Sequence, residues 1–136
     1  VLLVFVAITD GMTWLLGGDI VPEVMVEAYH TAGFVPLLWA ALIIAAPLLE
    51  ELFFRGFMFQ GIQQSRAGNL GAILITSFTW SIVHVQYDVY QLAVIFAGGI
   101  LLGIARVRSN STGLTITLHS LMNLIATIEL EVYLWQ

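Results

Sequence analysis

Glu50, Glu51 and Arg55 fall within one run, Leu48-Leu-Glu-Glu-Leu-Phe-Phe-Arg-Gly56, inside an otherwise apolar stretch. Glu51 and Arg55 are four residues apart, so on a helix they share a face and can pair, with the acid on the favourable N-terminal side. Glu50 points about 100° away from Glu51 at 3.6 residues per turn and cannot conveniently use the same arginine. That leaves Glu51–Arg55 as a structural ion pair and Glu50 free to face a cavity, where a carboxylate can serve as a general base or acid. Two imidazoles, His84 and His119, lie in later apolar stretches, and Asn123 follows His119 by four residues on the same helix face. Taken singly, His84 reads equally well as a hydrogen-bonding residue between helices, and Asn123 as interhelical glue. Glu50 suits such a reading least, because nothing near it in sequence satisfies it.

The surroundings make these groups costly. The chain has 136 residues, of which 60% are hydrophobic and 10% charged, with a mean hydropathy of +0.96. Soluble domains carry about 25% charged residues, so this is the composition of a membrane protein. A charged side chain at the bilayer centre costs ~2.5–3.5 kcal/mol on insertion scales. Three together rival the net stability of a typical protein, about 5–15 kcal/mol, unless they are paired and sheltered from lipid. There is no cysteine, which removes a thiol nucleophile, a disulfide framework and thiolate metal ligands. A net charge of −5 argues against a nucleic-acid partner; membrane lipid is the expected surrounding. The chain opens on Val1 inside an apolar run, which reads as a sequence that lacks its true N-terminus.

Spanning helices need about 20 mostly apolar residues. Five candidates appear, at about 1–16, 36–62, 70–87, 90–106 and 113–128, the last three short enough to need tilt or local thinning. An all-α polytopic bundle follows. Residues 17–35 read as a connector containing a short surface helix, and Pro36 suits the first turn of the second span. Alternating the spans puts Arg66, Arg106 and Arg108 in connectors on one side, which the positive-inside rule makes cytoplasmic. Asp19, Glu23, Glu27, Asp88, Glu129 and Glu131 then fall on the other side. Counted along the helices from the cytoplasmic ends, Glu50 lies ~18 Å deep, His84 ~21 Å, His119 ~9 Å and Asn123 ~15 Å. With boundaries uncertain by several residues these depths overlap, so one polar pocket nearer the cytoplasmic face is expected, with His84 in the middle of the third span. Gly99 and Gly103 form a GxxxG that permits close helix approach, while Phe53, Phe54, Phe57, Phe59 and Trp80 read as packing.

Three features in order, Glu50-Glu51-x-x-x-Arg55-Gly56, Trp80-Ser-Ile-Val-His84 and His119-Ser-Leu-Met-Asn123, resemble the motifs of the CPBP family of intramembrane proteases. These are the CAAX-protease and bacteriocin-processing enzymes, also called the Abi family and related to the Rce1-type prenyl-protein proteases. The resemblance spans about residues 36–128. It departs at Trp80, where the family's second motif usually has Phe, a change expected to affect packing more than chemistry. The resemblance implies that Glu50 and His84 activate a water to attack a peptide carbonyl, while His119 and Asn123 stabilise the oxyanion as neutral donors. It also leaves room for a divalent metal such as zinc on Glu50, His84 and His119, although the same groups suffice without one.

The expectation is an intramembrane endopeptidase acting on a membrane-associated protein or peptide, of the prenylated CAAX type or unprenylated, in a prokaryotic plasma membrane. Its parts would be a partial first span with an extracytoplasmic connector at 1–35, the catalytic membrane core at 36–128, and a short acidic tail at 129–136. No HExxH or GxSG motif points to another intramembrane protease class. The rival readings are a proton or cation transporter element, whose acids usually spread along a path, and an inactive relative conferring immunity to a membrane-active peptide.

Overall fold

Pro47 interrupts the longest apolar stretch of the chain, yet the helix continues through it. In the computed structural model, which describes residues 1–135, Val35–Gln63 is one continuous helix, α3. A proline ring inside a helix clashes with the carbonyl four residues back, here Ile43. That carbonyl lies in a π-helical segment, Ala41–Ala45, directly before the proline-bearing turn. A second π segment, Leu52–Met58, carries Arg55 and Gly56. The wider turns leave backbone carbonyls available to other helices. Leu42 O accepts from the Asn123 amide at 2.8 Å, and Arg55 O accepts from Arg106 Nε at 3.1 Å.

The other helices are α1 (Leu2–Leu15), α2 (Glu23–Thr31), α4 (Gly68–Ile82), α5 (Val89–Ser109) and α6 (Thr112–Leu134). The chain is all-α, and α3, α5 and α6 are long and apolar enough to cross a membrane. The two remaining expected spans are present as shorter helices, α1 with 14 residues and α4 with 15, and the connector helix appears as α2. Burial is inverted relative to a soluble protein. Glu51, Arg55, Thr76, Ser77, Arg106 and Thr115 are buried, while Leu3, Trp14, Leu49, Phe57, Leu70 and Val89 are exposed. Large apolar side chains around the outside and polar ones within suit hydrocarbon as the solvent.

Local signals set the helix ends. The Asp88 carboxylate accepts from Gln91 N at 2.8 Å and starts α5, with the Gln91 side chain accepting from Asp88 N in return. Asn110 closes α5 in the left-handed region at φ 53, and Ser111 caps α6 by accepting from Leu114 N. Between α4 and α5 the approach is close: a Cβ on Gly99 would lie 2.8 Å from Ser77 Cβ. Phe54, Trp80 and Leu102 form the small apolar core, with Met58, Ile95, Leu118 and Met122 against it.

Three boundaries differ from expectation. Helix α4 ends at Ile82, so His84 lies beyond its C-cap, Val83, and not within a span. Helix α5 runs on to Ser109, which puts Arg106 in its last turn, buried, where its Nη1 donates to the Asn110 side chain at 2.8 Å. Helix α6 continues through Leu134, so Glu129 and Glu131 are helical and the acidic tail expected at 129–136 is helix as far as 134.

Candidate active site

The two adjacent glutamates face different surroundings. Glu51 is fully buried, and its Oε1 accepts from Arg55 Nη1 at 2.7 Å. The same oxygen accepts from His119 Nδ1 at 3.0 Å. Arg55 also donates from Nη2 to Gly99 O at 3.3 Å, which ties α3 to α5 at the glycine approach. The ion pair read from the i, i+4 spacing therefore exists, and it additionally holds an imidazole from α6.

Glu50 is on the other side of the helix, with its side chain 27% exposed. Its Oε2 accepts from Trp80 Nε1 at 2.6 Å and lies 4.0 Å from His84 Nε2. His84 Nδ1 is 2.7 Å from Trp80 O. A carbonyl can only accept, so this contact assigns the ring proton to Nδ1 and leaves Nε2 of the neutral ring as an acceptor. Glu50 and His84 thus present two acceptors to one small bay.

The same reasoning applied to His119 changes its expected role. With Nδ1 donating to the Glu51 carboxylate, a neutral His119 presents a lone pair at Nε2, and it donates from Nε2 only as imidazolium. A neutral donor, as the resemblance implies, is not what this hydrogen bond gives. Asn123 commits one amide hydrogen to Leu42 O and retains a second.

Glu50, His84, His119 and Asn123 all line one cavity of about 680 Å³. The cavity extends to the end of the bundle formed by the connector at 18–23 and the loop at 86–88. That is the end opposite Arg66 and Arg108, whereas the expectation put the polar pocket nearer the arginine-bearing end. Helix α4 ends early and leaves His84 on the loop joining it to α5. None of the four arginines lines the cavity, whereas Asp10, Asp19, Glu23, Glu50, Asp88 and Glu129 do.

The three groups expected as metal ligands are not gathered into one set. Among the described residues, no three His, Asp or Glu side chains approach closely enough to hold a metal ion. The Trp80 indole packs against both imidazoles, its centroid 5.4 Å from that of His84 and 5.1 Å from that of His119.

Two site residues escaped the sequence reading. Trp80 is a hydrogen-bond donor to Glu50 as well as a packing residue. Its buried N–H needs a partner, which is the one signal that pointed to it. Tyr87 lines the cavity with its ring 6.2 Å from His84. Burial pushes its phenol up from the ordinary value and the charge of Glu50 adds to this, so the hydroxyl stays protonated as a donor.

Comparison with known proteins agrees with the motif order. Residues 32–125 match the family described as type II CAAX prenyl endopeptidase Rce1-like, well over half of the chain and inclusive of Glu50, Glu51, Arg55, His84, His119 and Asn123. An Escherichia coli protein described as an uncharacterized 24.3 kDa protein is 38% identical over 81 residues, 57% of this chain and 37% of that protein. The aligned part of the chain thus spans little more than a third of that relative's length. No solved structure matches. The chain belongs to the type II CAAX prenyl endopeptidase Rce1-like family.

Proposed function

We propose that this chain is the core of an intramembrane endopeptidase that hydrolyses a peptide bond in a membrane-associated protein or peptide, using water activated by Glu50 and His84. The observation that carries this reading is the bay between Glu50 Oε2 and His84 Nε2, two acceptors 4.0 Å apart. One water can reach both at a hydrogen-bond length of about 2.8 Å and donate a proton toward each. Its lone pairs then face outward for attack on a carbonyl. Glu50 takes the proton as the water oxygen bonds to the carbonyl carbon, and returns it to the leaving amine. The free Asn123 N–H stands as a donor to the oxyanion of the tetrahedral intermediate, and His119 Nε2 joins it when that nitrogen carries a proton. Glu51 holds His119 in orientation.

The family supports a CAAX-type substrate, with the scissile bond carried on a lipid-anchored tail. The cavity, open to one end of a bundle whose outer surface is apolar, suits a peptide delivered from the membrane. The test is cleavage of prenylated and unprenylated peptides by purified protein in liposomes. Glu50→Gln and His84→Ala are each expected to lower kcat by at least about 100-fold, the scale of a lost general base. Cleavage that survives both substitutions overturns the proposal.

A further inference from the structure

We infer that Trp80 is a positioning residue for Glu50, an inference that takes the protease reading of the bay as its basis. A glutamate side chain facing a cavity has three rotatable bonds and loses freedom only if something holds its head. The Trp80 indole N–H does so, donating to Glu50 Oε2 at 2.6 Å. The indole is itself fixed. It is buried to 4% exposure, with the Arg55 guanidinium 4.5 Å over its ring centroid and His119 against it edge to face. The carbonyl of the same residue receives His84 Nδ1–H. One residue therefore sets both walls of the bay, Glu50 through its side chain and His84 through its main chain.

This also gives the buried ion pair a route to the chemistry. Glu51 holds Arg55, Arg55 lies on the indole, and the indole holds Glu50. A phenylalanine at position 80, the residue usual in the resembling motif, packs but cannot donate. Restraint of Glu50 through a nitrogen donor is thus a property of this chain's own tryptophan.

Two substitutions separate the donor from the ring. Trp80→Phe removes both the N–H and part of the volume. Replacing Trp80 by its benzothienyl analogue, in which sulfur takes the place of the N–H, preserves the shape. Both are expected to lower kcat about 10–100-fold, the scale of a misplaced catalytic group, with KM within about twofold because substrate contacts persist. In wild-type protein with ¹⁵N-labelled indoles, the Trp80 resonance is expected to shift on Glu50→Gln, while those of Trp14, Trp39 and Trp135 stay in place. If the benzothienyl analogue keeps wild-type kcat, or the Trp80 resonance ignores Glu50→Gln, the inference is wrong. Should the wild type cleave no peptide, the protease reading falls by itself, and the indole resonance still decides whether Trp80 holds Glu50.

Discussion

Adjacent glutamates with opposite duties make separable predictions. Arg55→Met removes the cation from a fully buried carboxylate, and breaking such a pair costs about 3–5 kcal/mol because the remaining charge is left uncompensated. Glu50→Gln keeps an oxygen that can accept from Trp80 and leaves no buried charge behind. It is expected to stay within about 0.5 kcal/mol of wild type. Chemical unfolding in detergent, paired with peptide cleavage, should therefore find Arg55→Met unstable and Glu50→Gln stable but inactive; equal stability loss in both would contradict the division. The Glu51–Arg55 pairing was legible in sequence because i, i+4 spacing is a local rule. The Trp80–Glu50 contact was not, since it joins residues 30 positions apart on separate helices. His119 and Asn123 were correctly put on one face. Their partners, the Glu51 carboxylate and Leu42 O, depend on how α6 meets α3, and that carbonyl lies in a π turn.

At the level of elements, the site depends on how closely α4 and α5 pack and where α4 stops. A Cβ on Gly99 would meet Ser77 Cβ at 2.8 Å and the Ser77 backbone Cα at 3.0 Å, so the helix itself must move. At Gly103 the nearest atom is Ile73 Cγ2, at 3.1 Å, in a side chain that can turn aside. Gly99→Ala is accordingly expected to cost about 1–3 kcal/mol, in the range of overpacked cores, and Gly103→Ala less. Because Gly99 O also receives Arg55, Gly99→Ala should reduce activity beyond its effect on stability. Thermal unfolding and specific activity of the two variants test the order, and a milder Gly99→Ala would refute it. The GxxxG spacing announced this approach, but not that its carbonyl would serve the ion pair. The end of α4 was hidden for a different reason. Val83 and Val85 prolong the apolar pattern past Ile82, with no glycine or proline before the capping Asp88 to mark the break. Position along an apolar run therefore put His84 inside a span, whereas it lies on the loop that follows α4.

For the molecule as a whole, charge and cavity together predict a direction. Helices α4 and α5 are antiparallel, so Arg66 before α4 and Arg108 near the end of α5 share one end of the bundle, and both are exposed. Asp19 and Asp88 are exposed at the other end, where they line the cavity. The positive-inside rule counts arginines in short connectors and puts the first end in the cytoplasm. Arg106 adds nothing to that count as a free charge, because it is buried against Arg55 O. The remaining asymmetry is still one-sided, and it predicts that the cavity opens away from the cytoplasm. The absence of cysteine from this chain makes the test clean, since each introduced thiol is its sole label site within these residues. In sealed cells, a membrane-impermeant maleimide should modify Asp19→Cys and Asp88→Cys directly. Arg66→Cys and Arg108→Cys should react only after the membrane is opened. Labelling of Arg108→Cys and Asp88→Cys from the same side would show that α5 does not cross the membrane. The fully reversed pattern would keep the fold and place the cavity mouth, with Glu50 and His84 behind it, on the cytoplasmic face.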